Sequence, residues 1–318
     1  MLIKEEKMKN TVLFNICKQH LVSIKEEGYN LEKKYGFKNL GWMKKAIKES
    51  LIESFKKSND VKGLQAELER YGKVISDVNG LKSINDLAGH NMGDAYLDRI
   101  ANIFANNSLI KEFAEKYGIV YTIAREGGDE FGLLLERKTG SLNELVNGDE
   151  LILSFSTLIM QEVQKIKATD LLGLNNSHIK TLLGNDGNLM LKRAGKNYEY
   201  FASVAVGQCV FSDAYSFLDR VIKRKKTLPD LQKIRTDLEE ITSEPNWENN
   251  VMNILMGLVQ DISGLINQYN KDDFKRNLAL GDKKEQFTAF LFYRNEESRQ
   301  MFLENQRLKK EINKLKKK

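Results

Sequence analysis

Residues 119–135 read Ile-Val-Tyr-Thr-Ile-Ala-Arg-Glu-Gly-Gly-Asp-Glu-Phe-Gly-Leu-Leu-Leu, two apolar runs joined by Arg125-Glu126-Gly127-Gly128-Asp129-Glu130-Phe131. Apolar, β-branched runs on either side of a Gly-Gly-Asp-Glu tip predict a β-hairpin that carries acid at its turn. The paired glycines let the backbone turn with positive φ and leave open space above it. Two carboxylates beside that space suit a divalent cation carrying a triphosphate.

A second stretch lies upstream. Residues 72–97 contain a short β-prone run, Lys73 to Val78, broken by Asp77, Asn79 and Gly80. The spacing predicts a helix from about Leu81 to about Gly89. A longer helix opens at Gly93-Asp94, with Tyr96, Leu97, Ile100, Ile103 and Phe104 at helical intervals.

Together the two stretches resemble the GGDEF family of diguanylate cyclases. Its pattern, Asp-x-Asp-x-Phe-Lys-x-x-Asn-Asp-x-x-Gly-His-x-x-Gly-Asp followed later by Gly-Gly-(Asp/Glu)-Glu-Phe, is met in register by Asp77, Lys82, Asn85, Asp86, Gly89, His90, Gly93 and Asp94. All of Gly127–Phe131 match as well. One pentapeptide is weak evidence, whereas two motifs in order and register are specific. Asn59 to Leu64 is similar to the Asp-x-Leu-Thr-Gly-Leu turn that opens such domains, and the resemblance runs over roughly residues 59–227. It implies an α/β, palm-like domain with a mostly antiparallel central sheet flanked by helices, bearing helical N- and C-terminal extensions. The expected division is 1–58 helical, 59–230 catalytic with an insertion at 169–198, and 231–318 helical.

The resemblance implies condensation of two GTP into cyclic di-GMP, with a ribose 3′-hydroxyl attacking the α-phosphorus of the other nucleotide. Such chemistry uses Mg²⁺ or Mn²⁺. Asp77 and Asp129 match the family's metal ligands, with the backbone carbonyl of Val78, and Glu130 either ligates or helps remove the proton. Helix capping or turn formation is the plainer alternative for Asp77 and Asp129. Asn85 and Asp94 match the residues that read guanine. A carboxylate accepts from N1–H and N2–H₂ of guanine, and adenine offers it a lone pair instead. Asp94 alternatively caps the helix it opens. Lys82 matches a phosphate-contacting lysine, and Gly127 and Gly128 would let backbone N–H groups approach the phosphates. His90 and Arg125 read as structural.

The chain also departs from the family. The inhibitory Arg-x-x-Asp site would fall at Gly118 and Tyr121, so it is absent. In the helix that usually supplies a lysine and an arginine to the phosphates, Lys226 falls on the lysine position but Asp230 on the arginine position. Lys223, Arg224 or Lys225 compensates, or they form a solvated basic helix end. The insertion would form a β-hairpin near the nucleotide or a contact with another subunit.

Composition bounds the rest. The net charge of +6 is concentrated in residues 309–318, six lysines against one glutamate, which argues against a broad nucleic-acid surface. No apolar run approaches the ~20 residues of a membrane helix and no signal peptide is visible, so a cytoplasmic protein with reduced Cys17 and Cys209 is expected. Val251, Ile254, Leu255, Leu258, Val259, Ile262, Leu265 and Ile266 follow helical spacing, and Met301, Leu308 and Leu315 recur every seventh residue, a short possible coiled coil. Because one such domain holds one GTP, a homodimer paired through its helical flanks is expected. The alternatives are a non-catalytic GGDEF module that binds nucleotide and signals, or a related cyclase making another cyclic dinucleotide.

Overall fold

A computed structural model of the chain describes residues 12–21, 34–138, 148–166, 189–193, 196–200, 202–225 and 231–279. Its centre is a five-stranded mixed sheet built from β1 (Lys38–Asn39), β2 (Tyr71–Val78), β3 (Ile119–Arg125), β4 (Glu130–Arg137) and β7 (Val204–Val210), in the order β1-β3-β4-β2-β7. The β3–β4, β4–β2 and β2–β7 pairs are antiparallel, and only the two-residue β1 runs parallel to β3. A separate antiparallel hairpin, β5 (Leu189–Arg193) with β6 (Lys196–Tyr200), overlaps the end of the insertion expected at 169–198 and runs past it.

The period-two alternation of the strands assigns the two faces. Val74 and Val78 of β2, Phe131, Leu133 and Leu135 of β4, and Val204, Val206 and Val210 of β7 face one layer. That layer is α4 (Leu81–Ala88), α5 (His90–Asn106), α6 (Ser108–Lys116) and α7 (Gly148–Gln164). Tyr71 of β2, Leu134 of β4 and Cys209 of β7 face the other. There lie α1 (Val12–Gln19), α2 (Leu40–Lys57), α3 (Val61–Leu68), α8 (Phe211–Ile222), α9 (Gln232–Ile241) and α10 (Val251–Ala279). The apolar stripe of α10, with Leu255, Leu258, Val259, Ile262 and Ile266 all buried, is spent on this second core.

Several element boundaries differ from the sequence reading. The strand expected from Lys73 starts at Tyr71. The Asn59–Leu64 stretch is a helix start: Asp60 accepts from the Gly63 N–H at 2.7 Å and caps α3. The long helix opens at His90, because Gly89 takes φ +83° and its carbonyl accepts from the Met92 and Gly93 N–H groups. Asp94 therefore sits inside the first turns of α5 and does not cap it. Helix α7 ends at Gln164, and β7 begins at Val204 and yields to helix at Phe211. Cys17 and Cys209 are buried and unbridged. Among the described residues no helix is long and apolar enough to cross a membrane. The heptad pattern at 301–315 lies outside the described residues.

Candidate functional site

Strands β2 and β4 bring the two sequence motifs together. Asp77 is paired in register with Glu130, and the Val78 N–H donates to the Asp129 carbonyl at 3.1 Å. Asp77 lies on the α10 side of the sheet, and Glu130 shares that side by alternation. The hairpin tip is fastened from both flanks. Phe131 is fully buried, 5.3 Å edge-on from Phe104. Arg125 donates from Nη2 to the Gly128 carbonyl at 2.7 Å and from Nε to the Gly127 carbonyl at 3.3 Å. Arg125 thus holds the turn, as a structural residue would.

Neither Gly127 nor Gly128 has positive φ, contrary to the sequence reading. Space constrains Gly127 alone. A Cβ on Gly127 would come 2.8 Å from Glu130 Oε2, whereas one on Gly128 would meet nothing within 4 Å. The turn itself is closed by the Glu126 N–H on the Glu130 carbonyl at 2.9 Å.

Asp77 is 2 % exposed. Burial raises its pKa; the Lys271 ammonium, 2.5 Å from Oδ2, lowers it; and Asp129 and Glu130 raise it again, so the net shift is upward. That Asp129 and Glu130 act on Asp77 places all three acids in one field. The other oxygen of Asp77, Oδ1, is buried without a hydrogen-bond partner. The end of β2 is stapled by Asn79, whose N–H donates to the Ser203 carbonyl at 3.0 Å, and by the Tyr96 hydroxyl, which accepts from the Ser203 N–H at 2.9 Å.

The expected base-reading residues lie on α4 and α5. Asn85 Oδ1 is buried and has no partner. Gly93 makes room for it, since a Cβ there would sit 1.8 Å from that oxygen. Asp94 is exposed and pairs with Lys34 at 3.2 Å, an open contact with both side chains more than a third exposed. Lys34 also binds Asp98 at 2.8 Å, where the Tyr35 hydroxyl donates as well. Lys82 and His90 are exposed. Of the basic stretch after β7, Lys223 is engaged with Asp219 at 2.6 Å, Arg224 and Lys225 are exposed, and Lys226 lies outside the described residues.

Sequence reasoning missed a buried polar line on the α10 face. Lys73, fully buried, binds Glu126 at 2.9 Å and donates to the Gln260 side chain. Burial lowers the pKa of Lys73 against the opposing pull of Glu126. A lysine inside an apolar strand was the available signal. Nothing local to Lys271 marks it.

The residues fit a divalent cation carried in with nucleotide. The orphaned Oδ1 of Asp77 is a ready ligand, with two more carboxylates nearby. Among the described residues no three His, Cys, Asp or Glu side chains converge into a metal cage. Mg²⁺ commonly takes one or two carboxylates plus phosphate oxygens, so a cage is not required. A groove of about 340 Å³ beside β3, lined by Phe37, Ala105, Tyr121 and Ile123 among others, contains none of these acids.

Known proteins match parts of the chain. The bifunctional diguanylate cyclase/cyclic di-GMP phosphodiesterase MucR of Pseudomonas aeruginosa is 36% identical over 69 residues, 22% of this chain and 9% of that protein. The probable diguanylate cyclase DgcE of Escherichia coli is 39% identical over 67 residues, 21% of this chain and 5% of that protein. The chain thus spans less than a tenth of the length of either relative. The coiled coil and GGDEF domain of DgcB from Caulobacter crescentus, solved in complex with c-di-GMP, aligns over 56% of this chain and 67% of that one, at 16% identity and a TM-score of 0.33. The family model for the diguanylate cyclase GGDEF domain matches residues 54–169. That span encloses both motifs and the strands that join them, so the likeness to the diguanylate cyclase GGDEF domain falls on the part of the chain that carries the candidate acids.

Proposed function

We propose that the chain condenses two GTP molecules into cyclic di-GMP, releasing two pyrophosphates. The observation that carries this reading is the β2–β4 register, which sets buried Asp77 against the Asp129-Glu130 tip with one carboxylate oxygen unsatisfied. Asn85 offers its unpaired Oδ1 to a guanine donor. Asp94 accepts from the Watson–Crick edge once it leaves Lys34, an exposed pair worth less than about 1 kcal/mol. Lys82 contacts phosphate, and the open space over Gly128 admits the phosphates close to the backbone. Asp77, Asp129 and the Val78 carbonyl would hold Mg²⁺ or Mn²⁺, which would supply acidification of the attacking 3′-hydroxyl and charge neutralisation for the triphosphate. Glu130, in register with Asp77, would take up the hydroxyl proton. Ring closure needs a second GTP facing the first, hence two chains with their hairpins opposed.

The test is incubation of the purified full chain with each nucleoside triphosphate and Mg²⁺, with products identified by mass spectrometry. Cyclic di-GMP from GTP alone is expected, with at least a ~100-fold loss in Asp129→Ala at unchanged circular dichroism. A different cyclic product would establish a related cyclase. One observation favours a second reading: Lys271 already engages Asp77. Nucleotide binding without turnover of any triphosphate would establish a non-catalytic module.

A further inference from the structure

We infer that Lys271 of α10 belongs to the metal site: its ammonium holds one oxygen of Asp77, and a divalent cation binds there only by displacing it. The inference rests on the reading of Asp77 as a metal ligand. It comes from a part of the chain that the family match at 54–169 does not reach.

The contact is delivered by a fixed helix. Helix α10 lies against β7 so closely that a Cβ on Gly207 would stand 2.0 Å from the Ser263 carbonyl and 2.4 Å from the Asn267 nitrogen. Asn270, next to Lys271, donates from Nδ2 to the Val206 carbonyl at 2.5 Å. Further back on the helix, Gln260 accepts from Lys73. These anchors set the helix along β2, with Gln260 over Lys73 and Lys271 over Asp77. The side chain of Asp77 is 4 % exposed, so its partner must come from within the fold. That of Lys271 is 28 % exposed, so its ammonium has a way out to water.

A divalent cation on Oδ1 would lie within a few ångströms of the ammonium on Oδ2. Two cations on one carboxylate repel, and the long lysine stem yields more readily than the buried aspartate. The lysine then acts as a tethered competitor that weakens metal binding to the free protein. Nucleotide-borne metal, with its phosphate charge, overcomes it more easily than metal alone.

The test measures Mn²⁺ binding to the nucleotide-free full chain by electron paramagnetic resonance at pH 8, where proton competition is small. Lys271→Met, with Lys271→Gln as a second neutral variant, is expected to bind at least about tenfold more tightly than wild type. Lys271→Arg is expected to match wild type, and Asp77→Asn in the Lys271→Met background is expected to abolish the gain. Equal or weaker binding in both neutral variants, with binding still lost on Asp77→Asn, overturns the role of Lys271 and leaves the metal reading standing. Mn²⁺ affinity indifferent to Asp77→Asn in either background overturns the metal reading itself.

Discussion

Gly93 shows how a single residue carries the site. Inside a helix, alanine is favoured over glycine by about 1 kcal/mol, yet α5 keeps glycine in its first turns. The reason is Asn85, whose Oδ1 has no hydrogen-bond partner and would collide with a Cβ at 1.8 Å. Gly93→Ala is therefore expected to leave thermal stability within a few degrees of wild type while weakening GTP binding at least about tenfold, as calorimetric titration would record. Wild-type affinity in this variant would remove Asn85 from the base pocket. The motif made Gly93, Asn85 and Asp94 legible in sequence. It did not reveal that Asp94 lies within α5, nor that Gly127 and Gly128 turn without positive φ.

At the scale of elements, the decisive contact is α10 across β2 and β7. Its periodic apolar positions predict a helix with a buried face, and the structure supplies one at Val251–Ala279. Periodicity names the face but not what it meets, because any apolar surface would satisfy it. Gly207 is where the meeting is closest, against backbone atoms that cannot swing aside. Gly207→Ala is expected to cost about 2 kcal/mol or more, read as a lower urea midpoint at unchanged slope. An unchanged midpoint would mean that α10 does not pack there.

Across the whole molecule, the buried Lys73–Glu126 pair links the hairpin to the helical layer, with the Glu126 carboxylate passing over Gly132. Removing one partner leaves a charge buried alone, so Lys73→Met is expected to destabilise by about 3–5 kcal/mol in chemical denaturation. Lys73→Met combined with Glu126→Leu is expected to recover most of that loss, since apolar pairs often replace buried ion pairs at little cost. A double variant as unstable as the single one would show that Gln260, left without its partner, carries the energy. The same view shows both flanks reaching the candidate acids, Lys34 to Asp94 from the N-terminal side and Lys271 to Asp77 from the C-terminal side.

The sequence by itself determined the hairpin, the β2 strand that carries Asp77 near its end, the helices that carry Asn85 and Asp94, and the match of residues 54–169 to the GGDEF domain. Each of these is written in residues a few positions apart, where turn chemistry and periodicity act. Only the tertiary structure decided that α10 covers the central sheet and that Lys271 meets Asp77. That pairing joins residues 194 positions apart. It arises because α10 must bury its apolar stripe, and β7 opens a glycine-deep groove to receive it.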